Sequence, residues 1–114
     1  MTDVKGSMDV CSKEVFAPVA VIRKYAGFEE VVAAINDSEY GLQAGVFTNR
    51  MKDVFYAFQH IECGGVVIND IPTYRADHQP YGGMKKSGVG REGVRYAIED
   101  MTEIKILSMN LKRD

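Results

Sequence analysis

The sequence predicts an α/β fold: a parallel β-α-β-α-β core with helices packed on the sheet, then a long loop, a final helix and a final strand. Three observations lead there. Short apolar runs rich in Val and Ile recur between segments of helical periodicity. Gly, Asn and Asp mark the boundaries between them. Strands that alternate with helices pair in parallel, because each helix carries the chain back across the sheet.

Residues 1–13 are mostly polar, with Gly6, and read as a loop or an end. The first strand is expected over 19–25, Val- and Ile-rich and preceded by Pro18. Gly27 breaks it. Phe28, Val31, Val32 and Ile35 then fall on one helix face, and Asn36-Asp37-Ser38 with Gly41 ends that helix. Gly45-Val46-Phe47-Thr48 reads as a short buried strand. Thr48 or Asn49 suits the cap of the next helix, since either side chain can accept a free backbone N–H. That helix is expected to bury Met51, Val54, Phe55, Phe58 and Ile61, and Gly64-Gly65 stops it. Val66-Val67-Ile68 is apolar throughout, as in a strand covered on both faces. A loop runs over 69–90, a third helix over about 91–101, and a last strand over 102–111. Val94, Ala97, Ile98 and Met101 form the apolar face of that third helix.

With 114 residues the chain holds one domain at most. Its net charge of −2 lacks the basic excess of a nucleic-acid binder. No apolar run reaches membrane-spanning length. Residues 1–13 lack the apolar core of a signal peptide. Two cysteines, Cys11 and Cys63, are too few for a disulfide scaffold, so a reducing, cytoplasmic setting is expected.

Gly88-Val89-Gly90-Arg91-Glu92-Gly93 has the spacing of a dinucleotide-binding turn. Such a turn needs a strand directly before it, and Lys85-Lys86-Ser87 is not one. The glycines therefore read as a structural turn into the third helix. His60 and Cys63 lie three residues apart, but two ligands do not make a metal site, and none is expected. Cys63 reads as a packed thiol. The 69–90 loop is longer than a compact domain needs, and loops of that length are usually functional or disordered. It carries Tyr74, Arg75, His78 and Tyr81, which is not the composition of a disordered linker. At the entrance to the first strand, Glu14 can accept two hydrogen bonds from a diol, each worth about 1.5–3 kcal/mol for a charged acceptor. Phe16 offers a flat apolar wall beside it.

Four segments carry a family resemblance. Glu14-Val15-Phe16-Ala17-Pro18 is similar to the E-[VI]-F-G-P motif of the aldehyde dehydrogenase superfamily. Residues 36–48, reading NDSEYGLQAGVFT, resemble the family's N-[DS]-S-x-Y-G-L-x-A-x-V-F-T. Gly64-Gly65-Val66-Val67-Ile68-Asn69 resembles A-G-x-V-x-[IV]-N. Residues 80–92, reading PYGGMKKSGVGRE, resemble PFGG-x-K-x-SG-x-GRE. The four occur in family order over nearly the whole chain. Ala17 departs from the family glycine, and its Cβ is expected to restrict the backbone near Phe16.

The resemblance implies a C-terminal segment of the catalytic domain of an enzyme that oxidises aldehydes to carboxylic acids with NAD or NADP. It implies that Glu14 binds the nicotinamide ribose and that Phe16 packs near the nicotinamide. Tyr74, Arg75, His78 and Tyr81 would line the mouth of the aldehyde pocket. A guanidinium binds carboxylate or phosphate bidentately, so Arg75 suits small polar or anionic aldehydes. The other reading is that Arg75 pairs with Asp70 or Asp77. The resemblance also implies that 102–111 is an oligomerisation strand joining a neighbouring subunit. Ile104 and Ile106 share one face of it, Leu107, Met109 and Leu111 the other, and Lys112-Arg113-Asp114 supplies a charged stop. The family's nucleophilic cysteine, general-base glutamate and cofactor domain lie upstream of the Glu14 motif, so no catalytic residue is assigned within 1–114. The segment alone is expected to be inactive, because without a thiolate no thiohemiacetal forms. The second reading is a non-catalytic module that assembles with itself or with a full-length relative.

Overall fold

The computed structural model describes residues 1–111; the charged stop expected at 112–114 lies outside them. Four helices and four strands follow in the order α1 (Asp9–Ser12), α2 (Phe28–Asn36), β1 (Tyr40–Gly41), β2 (Gln43–Val46), α3 (Met51–His60), β3 (Gly65–Ile68), β4 (Met84–Lys85) and α4 (Val94–Met101). The α/β class holds, and its centre is the expected β-α-β unit. Strands β2 and β3 pair in parallel, with Gln43 opposite Gly65 and Val46 opposite Ile68, and α3 is the crossover between them. A small core forms where α2 and α3 pack on this pair: Val32, Val46, Ala57, Ile61 and Cys63, edged by Phe28, Ala44, Tyr56, Val66 and Ile68.

Several elements differ from the sequence reading. Residues 19–25 form no strand and join no ladder. Their backbone is tied instead to the chain start, where the Met1 ammonium donates to the Ala20 carbonyl at 2.7 Å and the Ile22 N–H donates to the Met1 carbonyl at 2.9 Å. The 102–111 stretch likewise forms no strand, and Ile104 is 95% exposed. In each case a strand's N–H and C=O groups need a second strand, and none of the described residues offers one. Residues 8–13 contain a short helix where a loop was read, its one turn braced by a Lys13–Asp9 ion pair of 3.0 Å. The 69–90 loop is less irregular than expected. Its Met84–Lys85 pairs antiparallel with β1, and Tyr81 bridges to Glu92.

Helix α3 turns a different face inward from the one its apolar residues suggest. Asp53 and Ala57 are buried, and Ile61 just past the helix end is buried as expected, while Met51, Phe55 and Phe58 face outward, Phe58 at 73% exposure. Asp53 tolerates burial because its carboxylate accepts hydrogen bonds from the Thr48 hydroxyl at 3.2 Å and Arg50 Nε at 2.7 Å. Thr48 also accepts the Arg50 N–H at 3.1 Å, but the N-cap is Arg50, with no side-chain cap bond, so neither Thr48 nor Asn49 caps the helix as the sequence suggests. The apolar face of α4 is bare as well, with Met101 83% exposed. The radius of gyration is 20.1 Å, against about 13 Å for a closed domain of this length. The chain is thus a small packed centre with open apolar surface on several sides.

Candidate functional site

Beside the packed centre a cleft of about 560 Å³ runs along β3 and under the loop that follows it. Its floor is Gly65–Ile68, and Asp70, Tyr74, Arg75 and Tyr81 stand around it. The loop is fastened at both ends. Near its start, Asp70 Oδ1 accepts the Ile71 N–H at 2.7 Å, and Gln43 Nε2 on β2 donates to the Tyr74 carbonyl at 3.2 Å. At its far end Tyr81 and Glu92 exchange two backbone hydrogen bonds, 3.1 and 2.6 Å. Gly64 is where the far end of the loop meets the approach to β3. A Cβ there would overlap the Gly82 carbonyl oxygen, so only glycine lets the loop lie against the start of β3.

Three of the four residues expected at the pocket mouth line this cleft: Tyr74, Arg75 and Tyr81. His78 does not. It lies with Asp77 in a separate, mostly apolar groove against Val94, Tyr96 and Ile98 of α4. Arg75 does not pair with Asp70 or Asp77. Its Nη2 donates to Glu92 Oε2 at 2.7 Å, and its guanidinium carbon sits 4.3 Å over the centre of the Tyr81 ring. Sequence reading did not reach Glu92 or Gln43. Glu92 acts on a residue 17 positions away, a separation at which no local pattern signals contact.

Glu14 and Phe16 lie outside any helix or strand, and Phe16 is 94% exposed. Both are accessible, but the described residues build no enclosing pocket around them. They leave a carboxylate and an apolar ring open on the surface. The turn at 88–93 behaves as a turn: Gly90 and Gly93 have φ of 74° and 120°, and Gly93 caps α4. Arg91 Nη1 fills this region by donating to the Gly83 and Gly90 carbonyls at 3.1 and 2.7 Å.

Cys63 is buried, and its Sγ–H donates to the Gly65 carbonyl at 3.0 Å. Burial pushes this thiol's pKa up, against a smaller downward pull from hydrogen bonds with the Gly65 and Ala44 backbone. At neutral pH it is a thiol, not a thiolate. His60 stacks on Tyr56 at 4.1 Å and its Nδ1 lies 2.9 Å from the Tyr56 carbonyl. Among the described residues no three His, Cys, Asp or Glu side chains gather to hold a metal ion. No described helix is long and apolar enough to cross a membrane.

Fold and cleft define an α/β protein with a cleft beside a parallel strand pair, under a fastened loop that carries aromatic and cationic groups. Residues 1–107 match the model of the aldehyde dehydrogenase family. The chain is 51% identical over 111 residues to a 3-sulfolactaldehyde dehydrogenase of Priestia aryabhattai, covering 97% of this chain and 23% of that enzyme. It is 46% identical over 99 residues to a lactaldehyde dehydrogenase of Methanococcus aeolicus, covering 87% and 21%. Among solved structures, aldehyde dehydrogenase 21 of Physcomitrella patens, in complex with its reaction product succinate, superposes with a TM-score of 0.90 at 49% identity, covering 95% of this chain and 22% of that one. The NAD+ complex of an aldehyde dehydrogenase from Bacillus cereus superposes with a TM-score of 0.87 at 39% identity, covering 97% and 22%. The chain belongs to the aldehyde dehydrogenase family, and it spans less than a quarter of the length of these relatives.

Proposed function

We propose that the chain is the C-terminal part of the catalytic domain of an NAD(P)-dependent aldehyde dehydrogenase, the enzyme class that oxidises an aldehyde to a carboxylic acid. The cleft under the 69–90 loop carries the reading, because it gathers Tyr74, Arg75 and Tyr81 on a loop tied to both strands. In the complete enzyme, bound NAD or NADP accepts the hydride. Glu14 hydrogen-bonds the nicotinamide ribose hydroxyls as a charged acceptor, and Phe16 gives the nicotinamide an apolar wall. Tyr74 and Tyr81 wall the aldehyde space, and Arg75 gives it a fixed positive charge.

Small polar or anionic aldehydes are the substrate class this charge favours. The relatives named for sulfolactaldehyde and lactaldehyde, and the solved relative holding succinate, support that choice. Neither cysteine aligns with the family's nucleophile: Cys11 precedes the Glu14 motif on an exposed turn of helix, and Cys63 is a neutral buried thiol engaged with Gly65. The test has two arms. The purified chain, given aldehyde and either dinucleotide, forms no NADH or NADPH. Joined to the remaining part of a full-length aldehyde dehydrogenase it does, and Glu14→Gln then raises the KM for the dinucleotide. Aldehyde-dependent reduction by the chain alone, lost in Cys63→Ser, overturns the reading. The alternative of a non-catalytic assembly module draws on the bare apolar tail at 102–111, and a joined protein without activity would favour it.

A further inference from the structure

We infer that Glu92 is a positioning residue for Arg75, and that with Tyr81 it presets the guanidinium as a receptor for the carboxylate or sulfonate of a short aldehyde. The inference rests on the proposed aldehyde site and adds to it the residue that orients the charge. Arg75 and Tyr81 line the cleft, whereas Glu92 lines the neighbouring groove with Gly83, Ser87 and Gly90. Glu92 is thus not among the residues that line the cleft, which it adjoins at Tyr81 and Gly82. Its carboxylate holds one edge of the guanidinium, Nη2 to Oε2 at 2.7 Å, and the Tyr81 ring holds one face, 4.3 Å below. Two contacts at right angles in kind, one edge and one face, fix the plane of a planar group. Among the described residues Nε and Nη1 have no hydrogen-bond partner, so donors are left over for a bidentate anion.

The ion pair is not there for stability. Its side chains are 50% and 63% exposed, and exposed pairs contribute little. Its consequence is geometric: an arginine already held in one plane loses less freedom when it binds. The backbone supports the same arrangement. Tyr81 and Glu92 are bridged partners through their own N–H and C=O groups, so substituting the Glu92 side chain leaves the bridge in place.

The test uses the complete enzyme and the ratio of kcat/KM for 4-oxobutanoate to that for butanal, so any loss common to both substrates cancels. Glu92→Ala lowers the ratio about three- to tenfold, the range expected for freeing one long side chain, and does so through the KM for 4-oxobutanoate. Glu92→Gln keeps an oxygen that accepts the Nη2–H and restores the ratio to within about twofold of the parent. A Glu92→Ala ratio equal to the parent's, or a Glu92→Gln ratio no better than that of Glu92→Ala, overturns the inference. Arg75→Ala separates the two claims. If it lowers the ratio while Glu92→Ala does not, the anionic-aldehyde reading stands and the role of Glu92 falls. If neither variant moves it, both fall.

Discussion

The Asn69 side chain accepts the Thr48 N–H at 2.8 Å, just beyond the ends of the two parallel strands. The Asn69 N–H donates to the Val46 carbonyl, also at 2.8 Å, so one residue ties off the end of β2 twice. Asn69 does this from the left-handed region, φ 58°, which its short polar side chain tolerates better than most. The site follows from this: the chain leaves β3 in the direction that carries Asp70 and Tyr74 around the cleft.

Asn69→Ala removes the acceptor and places an ordinary side chain at a positive φ. The expected loss is about 1–3 kcal/mol of local stability. Hydrogen exchange over residues 46–50 reads it directly. The Thr48 amide should lose protection, while α2 amides are affected less. Unchanged protection at Thr48 would count against this role for Asn69.

Gly64→Ala tests the close approach of the pocket loop to β3. The added Cβ would meet the backbone carbonyl of Gly82 and crowd that of Leu42, and backbone yields less readily than a side-chain tip. Overpacking of this kind costs roughly 1–3 kcal/mol. Gly6→Ala is the control, because nothing lies within 4 Å of a Cβ there. The urea midpoint should drop for Gly64→Ala and stay near the parent for Gly6→Ala. Equal midpoints would show that the loop does not press on Gly64.

Cys63 sets a limit on the alkaline side. Its folded pKa is raised by burial, so in the unfolded chain the thiol loses its proton at lower pH. The stability this contributes is fully present below the ordinary thiol pKa and is lost as pH rises through the folded value. Cys63→Ala should flatten that alkaline decline. Iodoacetamide at neutral pH should label exposed Cys11 well before Cys63. Equal labelling rates would contradict the buried, neutral thiol.

Much of this was legible in the residues, and the misses have a common cause. Periodicity located α2, α3 and α4, and the apolar run at 66–68 located β3, because those signals are local. The family resemblance pointed to Tyr74, Arg75, His78 and Tyr81 on the loop, and the cleft gathers all but His78. The expected strands at 19–25 and 102–111 form no ladder because pairing is not local: a Val- and Ile-rich run pairs only if a partner is present. Helix α3 misled for a related reason. It is apolar on two faces, and within the described residues only the Asp53–Ala57 face finds a neighbour. Pairings such as Arg75 with Glu92 and Tyr40 with Lys85 join residues far apart in sequence and leave no trace in composition.

Those unmet faces lead to the last expectation, that the purified chain does not remain a monomer. Phe55 and Phe58 on α3, Val94, Ile98 and Met101 on α4, and Ile104, Ile106, Leu107, Met109 and Leu111 on the tail are all exposed. Together they exceed the scattered apolar residues of an ordinary soluble surface, and patches on this scale mark interfaces. The tail adds N–H and C=O groups that no described strand pairs, which is a template for another strand. Its apolar residues fall on both sides of the strand, so a single sheet face cannot cover them, whereas a partner that adds a strand and a packed layer can. Light scattering at micromolar concentration should give a mass above the 12.7 kDa of one chain. Removing the residues after Thr102 should lower it. If the intact chain already scatters as a monomer and the deletion changes nothing, the tail folds onto its own chain in solution and does not serve assembly.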